Sequence, residues 1–121
     1  MKISIIGYGR MGQAIEKIAK VRGHEIAYIN NGEALDLDAI KATDVAIEFT
    51  QPEAALSNIK SILSTCTPVI SGTTGWLAYK EEADEIAEQN NTAFLYASNF
   101  SLGVNLFFVM NEKLAELMAP Q

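Results

Sequence analysis

Short apolar runs alternate with longer amphipathic stretches along the whole chain. Five of the runs are continuously apolar and rich in β-branched or aromatic residues, which is typical of strands buried on both faces of a sheet. The predicted strands are KISIIG, EIAYIN, DVAIEFT, TPVIS and TAFLYA, at residues 2–7, 25–30, 44–50, 67–71 and 92–97.

After each strand, apolar residues recur at helical spacing. The first such stretch places Met11, Ile15 and Ile18 on one face, and Gly23 is a candidate for its C-terminal cap. Pro52 opens the third stretch, as proline is favoured in a first helical turn. The predicted helices are residues 10–21, 36–42, 52–64, 76–91 and 102–119. Regular alternation of strand and helix predicts an α/β fold with a doubly wound parallel sheet and right-handed crossovers.

Composition and charge narrow the class of protein. The 121 residues suit one domain, which we assign to residues 1–121, and 49% hydrophobic with 20% charged residues is ordinary for a globular protein. A net charge of −6 without a basic stripe argues against nucleic-acid binding. The N-terminus lacks the features of a signal peptide, and no apolar run reaches the roughly 18 residues of a membrane span. We therefore expect a cytoplasmic protein with no membrane partner.

One cysteine and one histidine cannot form an intramolecular disulfide or a zinc site. We expect Cys66, which lies in an apolar run, to be a buried structural residue. His24 precedes the second strand, far from the ends where ligands bind, and we expect a surface or structural role. The sequence predicts no metal site.

A glycine motif follows the first strand and opens the first helix. Its G-x-G-x-x-G pattern stands in the strand–turn–helix context that indicates dinucleotide binding in a Rossmann-like fold. Gly7 permits a tight turn, Gly9 lets the backbone approach a pyrophosphate, and Gly12 allows close packing of helix and strand. The helix N-terminus would hold the phosphates, with Arg10 adding charge. The predicted cofactor contacts here are Gly7, Tyr8, Gly9, Arg10, Met11 and Gly12.

In Rossmann-like folds, residues at the end of the second strand bind the adenosine ribose. Asn30 and Asn31 stand there, with Glu33 a little beyond. An acid favours NAD and an arginine favours NADP, whereas an asparagine can bond a ribose hydroxyl without repelling a 2′-phosphate. Asn30 is therefore a candidate ribose contact, the choice between NADH and NADPH stays open, and a plain turn explains these residues equally well.

Polar or glycine-rich turns also follow the later strands. Phe49–Pro52 follows the third strand, where Phe49 fits core packing better than a ligand contact. Ser71–Gly75 follows the fourth strand and Ala97–Phe100 the fifth. Carboxyl ends of parallel strands meet at one edge of the sheet, so we expect these turns to converge on one site.

The segments GYGRMG, EFTQPEAA, SGTTGW and ASNFSLGVNLFF, in this order and spacing, resemble the N-terminal domain of the dihydrodipicolinate reductase family. That family reduces its substrate with NADH or NADPH in diaminopimelate and lysine biosynthesis. The resemblance spans nearly the whole chain and implies further cofactor contacts at Gly72, Thr73, Thr74, Ala97, Ser98, Asn99 and Phe100, with Thr74 also touching substrate.

The family continues into a second domain with a catalytic histidine and lysine, and no such segment is present here. The resemblance implies that this chain lacks catalytic residues, that its sheet is incomplete at the C-terminal end, and that its partners are a nicotinamide dinucleotide and the missing C-terminal domain. Two alternatives remain open: the first domain of another two-domain dehydrogenase, or a stand-alone nucleotide-sensing module.

Overall fold

The computed structural model describes residues 1–119, apart from the side chains of residues 102 and 103. Its strands are β1 (Lys2–Ile6), β2 (Glu25–Asn30), β3 (Val45–Glu48), β4 (Val69–Ser71) and β5 (Phe94–Tyr96). Its helices are α1 (Arg10–Val21), α2 (Leu37–Lys41), α3 (Pro52–Leu63), α4 (Lys80–Gln89) and α5 (Leu102–Met118), with a 3-10 turn at Leu77–Tyr79 before α4. Every predicted element is present. β2 has its predicted bounds, and the other four strands are shorter at one or both ends because their flanking residues lie in the adjoining loops.

The five strands form one parallel sheet in the order β2-β1-β3-β4-β5. The direction of winding reverses between β1 and β3, since the chain crosses from β1 outward to β2 and then back past β1 to β3. This confirms the predicted doubly wound α/β sheet. In such sheets ligands bind beyond the carboxyl ends of the strands, beside the point of reversal.

Two apolar layers cover the sheet. On one face, side chains of β1, β3 and β4 pack against α2, α3 and α4; this layer contains Ile6, Ile40, Ala46, Ala55, Ile59, Ile62, Leu63, Val69, Trp76, Ala83 and Ala87. On the other face, Ile3 and Ile5 pack against Ala19 of α1. Each fully buried aliphatic side chain contributes roughly 1.5–3 kcal/mol, so the larger layer supplies most of the hydrophobic stabilisation.

The chain leaves three helices through left-handed residues, which are Gly23 after α1, Cys66 after α3 and Asn91 after α4. Gly23, with φ +84°, follows α1, where its N–H donates to Lys20 and the next N–H donates to Ala19. These bonds satisfy the last carbonyls of the helix, as the sequence predicted for Gly23. Cys66 follows α3 with φ 63° and is exposed, so the expectation of a buried cysteine was wrong. Cys66 lies in the turn before β4 and not in the strand itself, which explains its exposure.

Helix α5 extends from the sheet with most of its apolar side chains in solvent. Phe107 is 60% exposed and Met110 is 68% exposed. Leu95 of β5 is also exposed, on the face of the sheet that α1 covers elsewhere. In the described part of the chain, helices that combine the length and hydropathy of a membrane span are absent.

Candidate functional site

The three glycines after β1 have different surroundings. Gly7 has φ +94°, donates its N–H to the Asn30 carbonyl at 2.9 Å, and a Cβ there would lie 1.9 Å from the Phe49 carbonyl oxygen. A Cβ on Gly12 would lie 2.1 Å from the Gly7 carbonyl oxygen. At Gly9, a Cβ would meet no atom within 4 Å. Gly7 and Gly12 are therefore required by the packing of the turn, whereas the surface at Gly9 is open to a ligand.

Helix α1 begins at this open surface. Gly9 is its N-cap and supplies no side chain to the first N–H groups, which have no intrahelical acceptor. Arg10 and Met11 are exposed in the first turn. The uncapped N–H groups and the positive end of the helix dipole are suited to an anion such as a phosphate.

Tyr8 uses its side chain for packing the turn. Its hydroxyl donates to the Glu16 carboxylate, which also pairs with Lys20 at 2.6 Å. The Glu16 hydrogen bond raises the pKa of Tyr8, while the bonds from Lys20 and Tyr8 lower the pKa of Glu16. A ligand in the glycine turn would therefore meet the main chain of Tyr8 and not its hydroxyl.

The turn after β2 uses the Asn30 amide internally. Asn30 is only 3% exposed; its Nδ2 donates to the Glu33 carbonyl at 3.0 Å and to the Tyr28 hydroxyl at 3.2 Å, and its Oδ1 accepts from Gly32 N–H. Both ends of the amide are thus bonded within the turn, and a ribose contact from Asn30 stays a prediction. Glu33, by contrast, is exposed, and its carboxylate accepts from Asn31 N–H at 3.1 and 3.2 Å.

Two clefts open at the carboxyl edge of the sheet, and Phe49 lines both. A cleft of about 380 Å³ lies beside the glycine turn and the β2 turn; it is lined by Gly7, Tyr8, Gly9, Asn30, Asn31, Gly32, Glu33, Phe49, Thr50, Gln51, Ala54 and Asn58. A more apolar cleft of about 450 Å³ is lined by Met11, Ile15, Ile47, Phe49, Ile70, Ser98, Asn99, Phe100 and Ser101. We call them the β2 cleft and the β5 cleft. Phe49 is half-buried between them, and its contact with a ligand stays a prediction.

The Ser71–Gly75 loop lies against Phe49 and is held by a buried carboxylate. A Cβ on Gly72 would lie 2.1 Å from the Phe49 ring, so only glycine allows this contact. Glu48, which is 0% exposed, accepts from the hydroxyls of Ser71 at 2.7 Å and Thr73 at 2.8 Å. The Thr73 side chain therefore points inward, and any ligand contact from Thr73 would come from its main chain.

Thr74 and the loop after β5 present the outward groups. Thr74 is exposed, as are Ser98 and Phe100, whereas Ala97 is half-buried and donates its N–H to the Ser71 carbonyl at 3.3 Å. Asn99 accepts from Ser101 N–H at 2.7 Å through its Oδ1 and so shapes the entry to α5.

The sequence thus predicted the loops that meet at this edge, but no role was predicted for Glu48, the buried carboxylate to which they are bonded. Glu48 reads locally as an acid near the end of an apolar strand, and no role was assigned to it. The signal that could have found it is non-local: hydroxyl residues at positions 50, 71 and 73 all meet the end of β3. His24 lies at the opposite end of the sheet, with its Nδ1 3.1 Å from the N-terminal amine of Met1.

The strand order and the open glycine turn define a Rossmann-like domain, the class to which many nicotinamide-dependent dehydrogenases belong. A solved structure of the same fold, a hyperthermophilic archaeal homoserine dehydrogenase in complex with NADPH, has a TM-score of 0.60 and 18% identity, covering 78% of this chain and 43% of that one. The particular family follows from the sequence. Residues 1–100 match the model described as dihydrodipicolinate reductase, N-terminus, and the chain belongs to this family.

Two curated relatives carry the name 4-hydroxy-tetrahydrodipicolinate reductase. The protein from Christiangramia forsetii is 49% identical over 98% of this chain and 50% of its own length. The protein from Bdellovibrio bacteriovorus is 38% identical over 98% of this chain and 52% of its own length. The chain therefore spans about half the length of the curated relatives that it matches.

Proposed function

We propose that the chain is the nicotinamide-dinucleotide-binding part of a 4-hydroxy-tetrahydrodipicolinate reductase of diaminopimelate and lysine biosynthesis. The observation that carries the proposal is the pair of clefts that meet at Phe49 beside the open surface of Gly9. A dinucleotide has two nucleoside halves joined by a pyrophosphate. With the pyrophosphate at the start of α1, the adenosine half occupies the β2 cleft and the nicotinamide half extends toward the β4 and β5 loops.

The contacts at the nicotinamide end come from exposed groups. Thr74, Ser98 and Phe100 face outward, and Gly72 and Thr73 offer their main chain. Thr74 also contacts the substrate in this proposal, by its likeness to the family motif. The protein binds and orients the cofactor, and the cofactor itself supplies the hydride chemistry.

We further propose that Glu33 makes the site prefer NADH to NADPH. Glu33 follows Gly12 by 21 residues (33 − 12), near the spacing of the acid that bonds the adenosine ribose in this class. It lines the β2 cleft, and no lysine or arginine is among the described residues that line it. A 2′-phosphate carries about −1.5 to −2 charges. Two unit like charges 4 Å apart in water repel by about 1 kcal/mol, so the Glu33 carboxylate should disfavour NADPH by about 1.5–2 kcal/mol. This energy corresponds to a more than tenfold preference for NADH.

Titration of the ¹⁵N-labelled chain with NADH and with NADPH tests both proposals. We expect amide shifts in the glycine turn and the β2 turn, weak affinity, and at least tenfold tighter binding of NADH. Glu33→Gln should reduce that ratio severalfold, whereas Glu25→Gln, the same charge change at the other end of β2, should leave it unchanged. A lack of shifts with either cofactor would overturn the binding proposal. Equal affinities would overturn only the preference.

In this proposal, the residues that catalyse reduction of the substrate are not among those of this chain. The chain matches only half the length of its relatives, and the family's catalytic segment has no counterpart in its sequence. We expect no oxidation of NADH, followed at 340 nm, when the family substrate is added to this chain alone. Sustained turnover would show that the chemistry resides in these 121 residues and would refute this part of the proposal.

A further inference from the structure

We propose that Glu48 is a positioning residue that holds the β4 loop, residues 71–75, in the shape that binds the nicotinamide half of the cofactor. The inference rests on the proposed function. Its basis is the set of bonds around a carboxylate that no solvent reaches.

Three hydroxyls surround this carboxylate, and each comes from a loop at the cleft. Ser71 donates to Oε1 at 2.7 Å, Thr73 donates to Oε1 and Oε2 at 2.8 and 3.0 Å, and Thr50 donates to Oε2. Among residues 1–119, no lysine or arginine pairs with Glu48. A buried carboxylate without a counter-ion requires hydrogen bonds of this kind, so the loops and the carboxylate stabilise one another.

Two of these hydroxyls also accept hydrogen bonds from backbone N–H groups. The Thr73 hydroxyl accepts from Thr50 N–H at 2.8 Å, and the Ser71 hydroxyl accepts from Thr73 N–H at 3.3 Å. An N–H can only donate, so in each of these two hydroxyls one lone pair is occupied by the backbone and the proton stays available for Glu48. The network therefore needs an acceptor on both oxygens of residue 48.

The same network joins the β3 and β4 loops around Phe49. Gly72 N–H donates to the Glu48 carbonyl at 3.0 Å, and the Gly72 backbone lies against the Phe49 ring. On the far side, buried Trp76 donates its Nε1–H to the Thr73 carbonyl at 2.7 Å. Thr73 is thus fixed from both sides, and the exposed residues that follow it are Thr74 and Gly75. Thr74 carries the exposed side chain, on the nicotinamide side of the proposed site.

Glu48→Gln tests this role because it keeps the shape and replaces one acceptor by a donor. The measurement is the ratio of the affinities for NADH and for ADP-ribose, which lacks the nicotinamide. We expect wild-type protein to bind NADH several times more tightly than ADP-ribose, and Glu48→Gln to lose most of this difference while its affinity for ADP-ribose changes less than twofold. A general loss of folding would weaken both ligands alike.

Ser71→Ala keeps the test decisive if Glu48→Gln does not fold, since it removes one donor and leaves the carboxylate. It should lower the ratio about threefold. Ser4→Ala is the matched control, because Ser4 is an equally buried serine whose hydroxyl lies 2.8 Å from that of Thr43 at the other end of the sheet. Its ratio should stay at the wild-type value.

The outcomes separate the two proposals. An unchanged ratio in folded Glu48→Gln or Ser71→Ala protein would overturn the positioning role, as would equal wild-type affinities for NADH and ADP-ribose. Both of those results would leave dinucleotide binding standing. If wild-type protein bound neither ligand, the proposed function would fail and this inference with it.

Discussion

Substituting alanine for each glycine of the G-x-G-x-x-G turn should separate stability from cofactor binding. The structure gives Gly9 and Gly12 opposite surroundings, in line with the different roles that the motif predicts for them. Alanine at position 12 would place a Cβ 2.1 Å from the Gly7 carbonyl oxygen, well inside contact distance, whereas a Cβ at position 9 meets nothing. Gly9 has φ −81°, which any residue adopts, so its substitution adds no backbone strain.

The magnitudes follow from these contacts. Overpacking of a close-packed site costs about 1–3 kcal/mol, and the better helix propensity of alanine offsets up to about 1 kcal/mol of this for Gly12→Ala. We expect a net loss of about 1–2 kcal/mol and a fall in Tm of roughly 3–10 °C for a domain of this size. Gly7→Ala should lose more, because strain at φ +94° adds about 1–3 kcal/mol to its clash with the Phe49 carbonyl.

Gly9→Ala should show the reverse behaviour. Its free energy of unfolding should stay within about 1 kcal/mol of wild type, since the small gain in chain stiffness and the poorer N-cap oppose each other. Its affinity for NADH should fall at least tenfold, because the new methyl group stands where the pyrophosphate must approach the backbone. Thermal unfolding by circular dichroism and an NADH titration on the same samples measure both quantities.

Two results would refute this reasoning. Wild-type affinity of Gly9→Ala for NADH would mean that the cofactor does not approach the start of α1. An unchanged Tm of Gly12→Ala would mean that the turn does not have the described packing.

Three further predictions concern single contacts and one exposed surface. Trp76→Phe should lower the free energy of unfolding by about 1–3 kcal/mol in a denaturant titration, because the buried Thr73 carbonyl loses its donor. Glu16→Gln should lower the pKa of Tyr8, followed by absorbance at 295 nm. Since the folded pKa of Tyr8 is raised, its stabilising effect is present below pH 10.0 and is lost as the pH rises through the folded value. Phe107→Glu should reduce self-association of this chain by light scattering, since α5 exposes its apolar side chains; a monomeric wild type would contradict this.

The local sequence pattern was sufficient to predict the strands and helices, but it was insufficient to predict how they pack together. The runs KISII and VAIE are apolar because their strands lie between two layers of helices, so composition alone identified them. The order of the strands is a property of the whole sheet, and only the general rule for ligands at carboxyl ends led from the loops to a common edge. Cys66 was misplaced because its apolar neighbours concealed a left-handed turn.

The site residues divide in the same way. Gly7 and Gly12 follow from the motif because close backbone contacts there exclude any side chain. Asn30 fits a turn and a ligand contact equally well in sequence, and only the positions of its partners show that both amide groups are bonded within the turn. Glu48 could not be predicted from its neighbours, since two of its three hydroxyl partners lie 23 and 25 residues away.

Glu33 and Glu48 show why residue type at this edge does not determine role. Glu33 is exposed and bonded by one N–H, so its carboxylate keeps acceptor capacity for the hydroxyls of a ribose. Glu48 is fully buried and accepts from three hydroxyls, so its capacity is used within the protein. Removing the charge of Glu33 should therefore alter the preference between NADH and NADPH. Replacing the Glu48 carboxylate should lower the affinity for the nicotinamide half of the cofactor. In the proposed binding mode the two carboxylates act on opposite halves of one ligand through different loops. Their effects on the free energy of NADH binding should therefore add in the double variant.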